Sequence, residues 1–384
     1  MRYIKMSIAL GVLTFFLISL LMPLPLNAEV RSLSLEEAIE LSLKNNPELT
    51  KGNLELEKAE IMRDEAAQGI HYTPVEGVFS PEYQALYSGY QQAQLTVRTK
   101  KRALQVEEDK IANEVISAYA SAIRNYNVLQ KANLQYNLVD KQNTIASLSR
   151  KIGIISDHSY EGSKLGKKQL QETVRLAESN YEGSIAELRR LLGQNPNWEV
   201  KLISRPIINN YPRHELSTEI NRGTSESMLV WTKEFLVGLE EIKQKWVMPY
   251  TDRQIQDIDL SVAEIDYEDA KRTVRTTIEQ LYYTIDTIEG QIQVAELNCE
   301  KTMRDLEIAE LKYELGLITL YSQVPGSESL SNAKLEAQKA KLELEDLQAT
   351  LVELKANYAF LTGQGVYSAD DWSNATPVET ANVK

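Results

Sequence analysis

The residues that most often carry chemistry in proteins are sparse in this sequence and are not grouped. His71, His158 and His214 lie far apart, and none has a second ligand at the spacing of a metal site. Cys299 is the only cysteine, which excludes an internal disulfide framework and a cysteine-based metal site. Phosphate-binding glycine loops, nucleophile elbows and zinc signatures are missing as well. The sequence therefore predicts a protein that is not an enzyme and uses no cofactor.

The overall composition is that of long helices. Aromatic residues make up 7% of the 384 residues, and glycine (17) and proline (11) are few. This mixture is typical of coiled coils rather than of a compact α/β core. The net charge of −13 argues against a nucleic-acid partner, because phosphate binding requires a basic face.

Residues 1–28 have the features of a signal peptide. A basic start at Arg2 and Lys5 is followed by an apolar run from Met6 to Leu24 and by small residues ending at Ala28. The alternative is an uncleaved anchor, since the run is just long enough to span a bilayer. Two prolines near the end of the run favour cleavage, so we expect an exported protein of the cell envelope.

Apolar residues in the rest of the chain recur at alternating steps of three and four. This spacing predicts helices that pack along a heptad seam. Cys299 falls on such a seam, so we interpret it as a small buried residue rather than a reactive thiol. The clearest seam runs through Leu330, Ala333, Ala337, Ala340, Leu344, Leu347, Leu351, Leu354, Tyr358 and Leu361.

The chain consists of two similar halves. In each half a long helical pattern reaches a glycine, breaks briefly, and continues as a second helical pattern that ends in Leu-x-Gly. The breaks fall at Gly153 and Gly316, and the second patterns end at Gly193 and Gly363. The sequence therefore predicts two tandem helical hairpins in an all-α fold.

The first long helix is too long for a globular monomer. A helix from about residue 84 to residue 151 extends on the order of 100 Å. A monomer could not bury one whole face of such a rod, so we expect it to pack against its repeat mate and against other subunits.

A different kind of segment separates the halves. Residues 194–226 contain three prolines and one apolar patch, which predicts a small irregular domain with one or two strands and short helices. We divide the chain into a signal peptide (1–28), a first repeat (29–193), this equatorial-type segment (194–226), a second repeat (227–363) and a disordered tail (364–384).

Residues 33–49 resemble the N-terminal signature of the outer-membrane efflux (TolC-like) family. They form a predicted helix in which Ser34 and Glu37 make a capping box, and Pro47 ends it. The signature directly follows a signal peptide and precedes two hairpins with glycine turns and Leu-x-Gly ends. The resemblance covers about residues 33–363.

The resemblance implies a function and an assembly. Members of the family form a hollow trimeric cylinder, and each subunit contributes two helical hairpins to an α-barrel. An adaptor protein and an inner-membrane transporter dock on the inner end, and substrates leave through the tunnel. The turns at Gly153 and Gly316 match the inner tips, where the adaptor binds and the aperture opens. The implied protein is a homotrimeric, passive conduit gated at its tips.

The sequence departs from the family at the pore constriction. Family members carry an aspartate after the second tip, whereas residues 318–328 contain none. Glu328, and Asp157 after the first tip, are the candidates for an acidic ring. The alternative is that both are solvated loop carboxylates.

The sequence also departs from the family at its membrane anchor. Family members insert a two-stranded hairpin in each repeat, and these strands close into an outer-membrane barrel. Only residues 71–83 and 247–253 are available here, against the roughly 20 residues that a spanning hairpin needs. We therefore expect little or no β-barrel, although the resemblance implies an outer-membrane location.

Two non-conducting functions remain open at this stage. One is a coiled-coil tether that spans the envelope, and the other is an adaptor-like protein that caps another channel. A conduit must form a closed trimer with an axial tunnel, whereas a tether need not close.

Overall fold

The computed structural model describes residues 31–70, 81–198, 200–202, 214–245, 253–322 and 328–365, and these residues are mostly helical. In chain order the elements are β1 (Arg31–Leu33), α1 (Leu35–Asn45), α2 (Pro47–Gln68), α3 (Pro81–Lys151), α4 (Asp157–Leu191), β2 (Val200–Leu202), α5 (Leu216–Glu226), α6 (Met228–Lys245), α7 (Arg253–Glu314) and α8 (Leu330–Leu361).

Helix α1 has the predicted capping box. The Ser34 hydroxyl accepts a hydrogen bond from the Glu37 N–H (3.2 Å), and the Glu37 carboxylate accepts one from the Ser34 N–H (3.2 Å). The helix ends at Asn45, and Asn46 then caps α2, which begins at Pro47. A proline fits there because the first helical residue needs no hydrogen-bond donor.

Four helices form the layer that carries both hairpins. Helix α3 packs against α4 in the first hairpin, α7 packs against α8 in the second, and α3 against α8 joins them. The order across the layer is therefore α4, α3, α8, α7, with α2 beside α3 and α6 beside α7. Helix α3 has 71 residues, so it extends about 106 Å. These contacts confirm the predicted all-α fold of two tandem long hairpins.

The first repeat is centred on a buried cluster where its helix ends meet. Tyr119 of α3 is fully buried, and its hydroxyl donates a hydrogen bond to the Leu33 carbonyl (3.0 Å). The Ser42 hydroxyl of α1 donates to the Leu191 carbonyl (2.9 Å), which satisfies a carbonyl at the end of α4. Strands β1 and β2 pair in parallel beside this cluster, with Leu33 opposite Leu202.

A buried carboxylate holds the end of the second repeat. Glu219 of α5 is fully buried and pairs with Arg222. Glu219 also accepts hydrogen bonds from the His214 N–H (3.2 Å) and the Gln364 amide (2.9 Å). Arg222 donates to the Thr362 carbonyl (3.0 Å), so one ion pair anchors α5 to the end of α8. Helix α5 thereby belongs with the second repeat in the fold.

The heptad seams lie inside the hairpins. Cys299 of α7 is 8% exposed, as expected for a small residue buried on a helical seam. Helix α8 also has a second buried face, because it is a central helix of the layer. That face includes Ala349, Val352 and Ala356, which pack with α3 in the first-repeat cluster.

Several predictions concern residues outside the described ones. These are the signal peptide, nearly all of residues 71–83 and 247–253, and the tail from residue 366. Among the helices that the structure does describe, none is both long enough and apolar enough to cross a membrane.

Candidate functional site

The two hairpin tips are built from the same helix-ending geometry. Gly153 after α3 has φ = 78° and Gly316 after α7 has φ = 72°, a conformation that residues with a Cβ rarely adopt. At the first tip the Ile154 N–H bonds the Ser149 carbonyl (2.8 Å) and the Gly153 N–H bonds the Arg150 carbonyl (3.0 Å). This double closure is a Schellman motif, which ends the helix sharply and starts the return.

The second tip repeats this pattern one repeat later. The Leu317 N–H bonds the Lys312 carbonyl (2.8 Å), and the Gly316 N–H bonds the Tyr313 carbonyl (2.9 Å). Gly193 and Gly363, at the other ends of the hairpins, also have positive φ. All four Leu-x-Gly and tip glycines singled out in the sequence therefore end long helices in the same way.

Each tip presents large apolar side chains to solvent. In the first tip Ile152 and Ile154 flank Gly153 and are 64% and 69% exposed. In the second tip Leu315 and Leu317 flank Gly316 and are 73% and 70% exposed. Exposed apolar side chains that are grouped and rimmed by charges are typical of a protein-binding surface.

The apolar pattern extends one turn up each long helix. Leu148 precedes Gly153 by five residues and Leu311 precedes Gly316 by five, and both are about 60% exposed. We name the set Leu148, Ile152, Ile154 the first tip patch and the set Leu311, Leu315, Leu317 the second tip patch. A leucine five residues before a glycine that lies between two aliphatic residues is visible in the sequence at both tips, although the sequence analysis did not single it out.

The two predicted acidic residues lie at the tips, and each pairs with a cation of its own hairpin. Asp157, the first residue of α4, accepts from Arg150 of α3 (2.6 Å). The Arg150 guanidinium also lies over the Tyr160 ring, 5.0 Å from its centroid. Asp157 thus joins the two helices of the first tip across the turn.

Glu328 plays the corresponding part in the second hairpin. Its carboxylate accepts from Lys312 of α7 (2.6 Å) just before α8 begins. Backbone bonds from the Leu330 N–H to the Thr319 carbonyl (3.2 Å) close the loop base. Both side chains are largely exposed, so such pairs contribute little to stability.

Above the first tip, another ion pair ties the two helices of the hairpin together. Lys167 of α4 contacts the Asp140 carboxylate of α3 (2.5 Å). The hydrogen bond that the Lys167 ammonium donates to the Asp140 carboxylate raises the pKa of Lys167 above its ordinary value. Two ion pairs, Asp157 with Arg150 and Asp140 with Lys167, therefore connect the two helices of the first hairpin.

The seam between the two hairpins is apolar around Ala349, Val352 and Ala356 but becomes polar at Asp346, which the sequence analysis did not predict. Asn127 of α3 is fully buried and donates to the Asp346 carboxylate of α8 (2.8 Å), which Lys131 also contacts. Nearby, Arg124 donates to the Glu353 carboxylate (2.7 Å). These polar residues lie on α3 and α8 outside the apolar seams of the hairpins, so the heptad pattern does not reveal them.

The two described histidines, His158 and His214, do not form a cluster. His158 lies exposed in the first turn of α4, His214 lies exposed before α5, and His71 falls outside the described residues. Within the described part of the chain, no group of three or more His, Cys, Asp or Glu side chains is arranged to hold a metal ion.

The fold is similar to that of solved outer-membrane channels. The chain aligns with the outer-membrane channel OprN at a TM-score of 0.62 and 12% identity, covering 87% of this chain and 90% of that one. It aligns with the open MtrE channel of Neisseria gonorrhoeae at a TM-score of 0.60 and 11% identity, covering 86% and 89%. The CmeC outer-membrane channel of Campylobacter jejuni gives 0.57 and 11%, covering 86% of each chain.

These comparisons assign the chain to a class by its fold. The chain has the long-hairpin helical fold of these outer-membrane channels over 86–87% of its length. A scan against protein-family models and a search of curated proteins gave no match. At 11–12% identity the likeness lies in the architecture rather than in shared side chains.

Proposed function

We propose that this protein is a TolC-like exit duct of an efflux or secretion assembly. Three copies would form a hollow helical cylinder through which substrates pass without chemical change. The observation that carries the proposal is the likeness to outer-membrane channels, which extends over 86–87% of the chain in the three comparisons above. Such a duct works as an exported protein of the cell envelope, with the outer membrane as its expected location.

The hairpin tips are the docking and gating end in this proposal. The first and second tip patches are repeated, solvent-exposed and apolar, which suits the tip of another helical hairpin. The expected partner is an adaptor protein that connects the tips to an inner-membrane transporter. Gly153 and Gly316 fix the shape of the tips, while Asp157 and Glu328 join the paired helices behind them.

Site-specific cross-linking from the tips tests the docking proposal. We expect Ile154→Cys and Leu317→Cys, each carrying a photoactivatable cross-linker in intact cells, to capture one exported protein with a helical hairpin. Cross-linked species are identified by mass spectrometry. A matched control is Leu54→Cys on α2, which is equally apolar and 61% exposed but lies far from the tips in the chain.

Transport in the native host gives the functional readout. Ile154→Asp together with Leu317→Asp places charge in both tip patches, and we expect it to abolish export while the trimer still forms. The conservative pair Ile154→Val and Leu317→Ile should transport normally. Full export by the aspartate variant, or capture of the same hairpin protein from Leu54→Cys alone, would contradict docking at the tips.

A further inference from the structure

The two outer edges of the four-helix layer carry exposed apolar side chains. On α4, Leu165 and Leu176 are 66% and 57% exposed. On α7, Val294 and Leu297 are each 68% exposed. Both rows follow helical spacing on the side opposite the hairpin seam, so each edge carries a second seam.

The internal repeat shows what each edge corresponds to. Gly153 and Gly316 are equivalent tip residues, so α3 and α7 correspond with a shift of 163 positions. Gly193 and Gly363 are equivalent end residues, so α4 and α8 correspond with a shift of 170 positions. The first shift also superimposes buried residues, because it matches Val115 with Ile278.

The contact between α3 and α8 is therefore a template for a contact between α7 and α4. Both pairs run antiparallel, since α3 and α7 run toward the tips while α4 and α8 run away from them. Within one chain α4 and α7 lie at opposite edges of the layer, so a second copy must supply one of them. The α3–α8 contact therefore predicts which turns of α7 and α4 would meet, in addition to predicting that these two helices meet.

The register that follows is specific. In the template, Asp346 of α8 lies between Asn127 and Lys131, one turn apart on α3. The shifts convert Asp346 to Leu176, Asn127 to Gly290 and Lys131 to Val294. A charged contact inside the chain thus becomes an apolar contact at its edge, in which Leu176 lies between Gly290 and Val294.

Gly290 has open space beside it within its own chain. A Cβ added to it would meet no atom within 4 Å, although glycine is a poor residue for the middle of a helix. A surface groove of about 550 Å³ opens beside it, and its lining includes Gly290, Val294 and Leu347. A glycine and a groove at the position where a leucine is expected are the parts of a knob-into-hole contact.

The same edge continues toward the far end of α7. Ile258, Val262 and Ile265 are exposed there, each more than half. The template position of Ile265 is Arg102, which lies 5.4 Å from the centre of the Trp231 ring of α6. The repeat equivalent of α6 is α2, whose Ile61 and Met62 are exposed, so this part of the apolar edge also has an apolar counterpart.

We propose that neighbouring subunits pack α4 against α7 in this register, with Leu176 of one subunit inserted between Gly290 and Val294 of the partner subunit. The proposal rests on the trimeric duct proposed above and assigns the side chains that close it. The occupant of the apolar edge is a second copy of the same chain, because the edge reproduces a contact that the chain already makes internally.

Disulfide cross-linking tests the register. The mature protein carries Cys299→Ser to remove the native thiol, together with Leu176→Cys and Val294→Cys. Oxidation is expected to convert most of the protein to covalent dimers and trimers, since cysteine Cβ atoms must lie about 3.5–4.5 Å apart to bond. The matched control combines Leu176→Cys with Lys301→Cys, which lies one heptad or about 10.5 Å further along α7 and should remain monomeric on denaturing gels.

The mass of the reduced protein, measured by light scattering, separates two kinds of failure. A trimer that cross-links through Val294→Cys and not through Lys301→Cys supports the register. A trimer that cross-links through Lys301→Cys, or through neither, overturns the register and leaves the duct intact. A monomer at cellular concentrations overturns both the register and the trimeric duct.

Discussion

The inner seam of the layer, between α3 and α8, and its outer edges on α4 and α7 are equivalent by the repeat but differ in chemistry. The inner seam has an apolar part at Ala349, Val352 and Ala356 and a polar part, in which Asp346 accepts a hydrogen bond from Asn127 and pairs with Lys131. The equivalent outer positions are the apolar Leu176, Gly290 and Val294. The inner seam forms within one chain, where covalent connection brings the helices together, so part of it can be polar. The outer seam must bring separate chains together, and apolar burial supplies the driving force for association.

The largest effect of a single substitution is expected at the inner seam. Asp346→Ala leaves the buried Asn127 amide and the Lys131 ammonium without their shared acceptor. The free energy of unfolding should fall by about 1–3 kcal/mol, because a buried donor that loses its partner costs its desolvation. Thermal or urea unfolding of the mature protein measures this loss.

A substitution at the outer edge provides the control, because it should affect the association of subunits and not the unfolding of the chain. Leu176→Ala should leave the unfolding of the chain nearly unchanged and shift the protein from trimer toward monomer on dilution. If Leu176→Ala destabilises the isolated chain, or if Asp346→Ala dissociates a chain that remains fully stable, the contrast between the two seams is wrong.

The sequence predicted the fold more completely than it predicted this contrast. Heptad spacing reports which residues repeat every 3.5 positions, and it identified the hairpin seam through Cys299 and Tyr358 correctly. It cannot assign a polar residue such as Asp346 to a second buried face, because Asn127 and Lys131 are more than 200 residues away in the chain. The tip glycines were predictable because a Schellman turn requires glycine locally.

A smaller effect is expected at the tips. Gly153→Ala and Gly316→Ala place a Cβ at positive φ, which costs about 1–2 kcal/mol per residue. The amide protons of Ile154 and Leu317, which close the two turns, should then exchange with solvent roughly 5–30-fold faster. Hydrogen exchange followed by mass spectrometry of the tip peptides measures this change.

Gly162→Ala is the matched control for the tip glycines. Gly162 lies within α4 near the first tip, and a Cβ there would meet no atom within 4 Å. This substitution should slow exchange slightly, because alanine favours the helix. Equal exchange in the tip variants and the control would show that the glycine turns do not shape the tips.

The account depends most directly on whether the chain forms a tunnel. Electron microscopy of the purified protein without residues 1–28, the predicted signal peptide, tests this without knowledge of substrate or partner. We predict three-fold particles with an open axial channel and the six hairpin tips, two from each subunit, gathered at one end. Monomers, dimers or solid rods without a central channel would contradict the conduit and would favour a non-conducting tether.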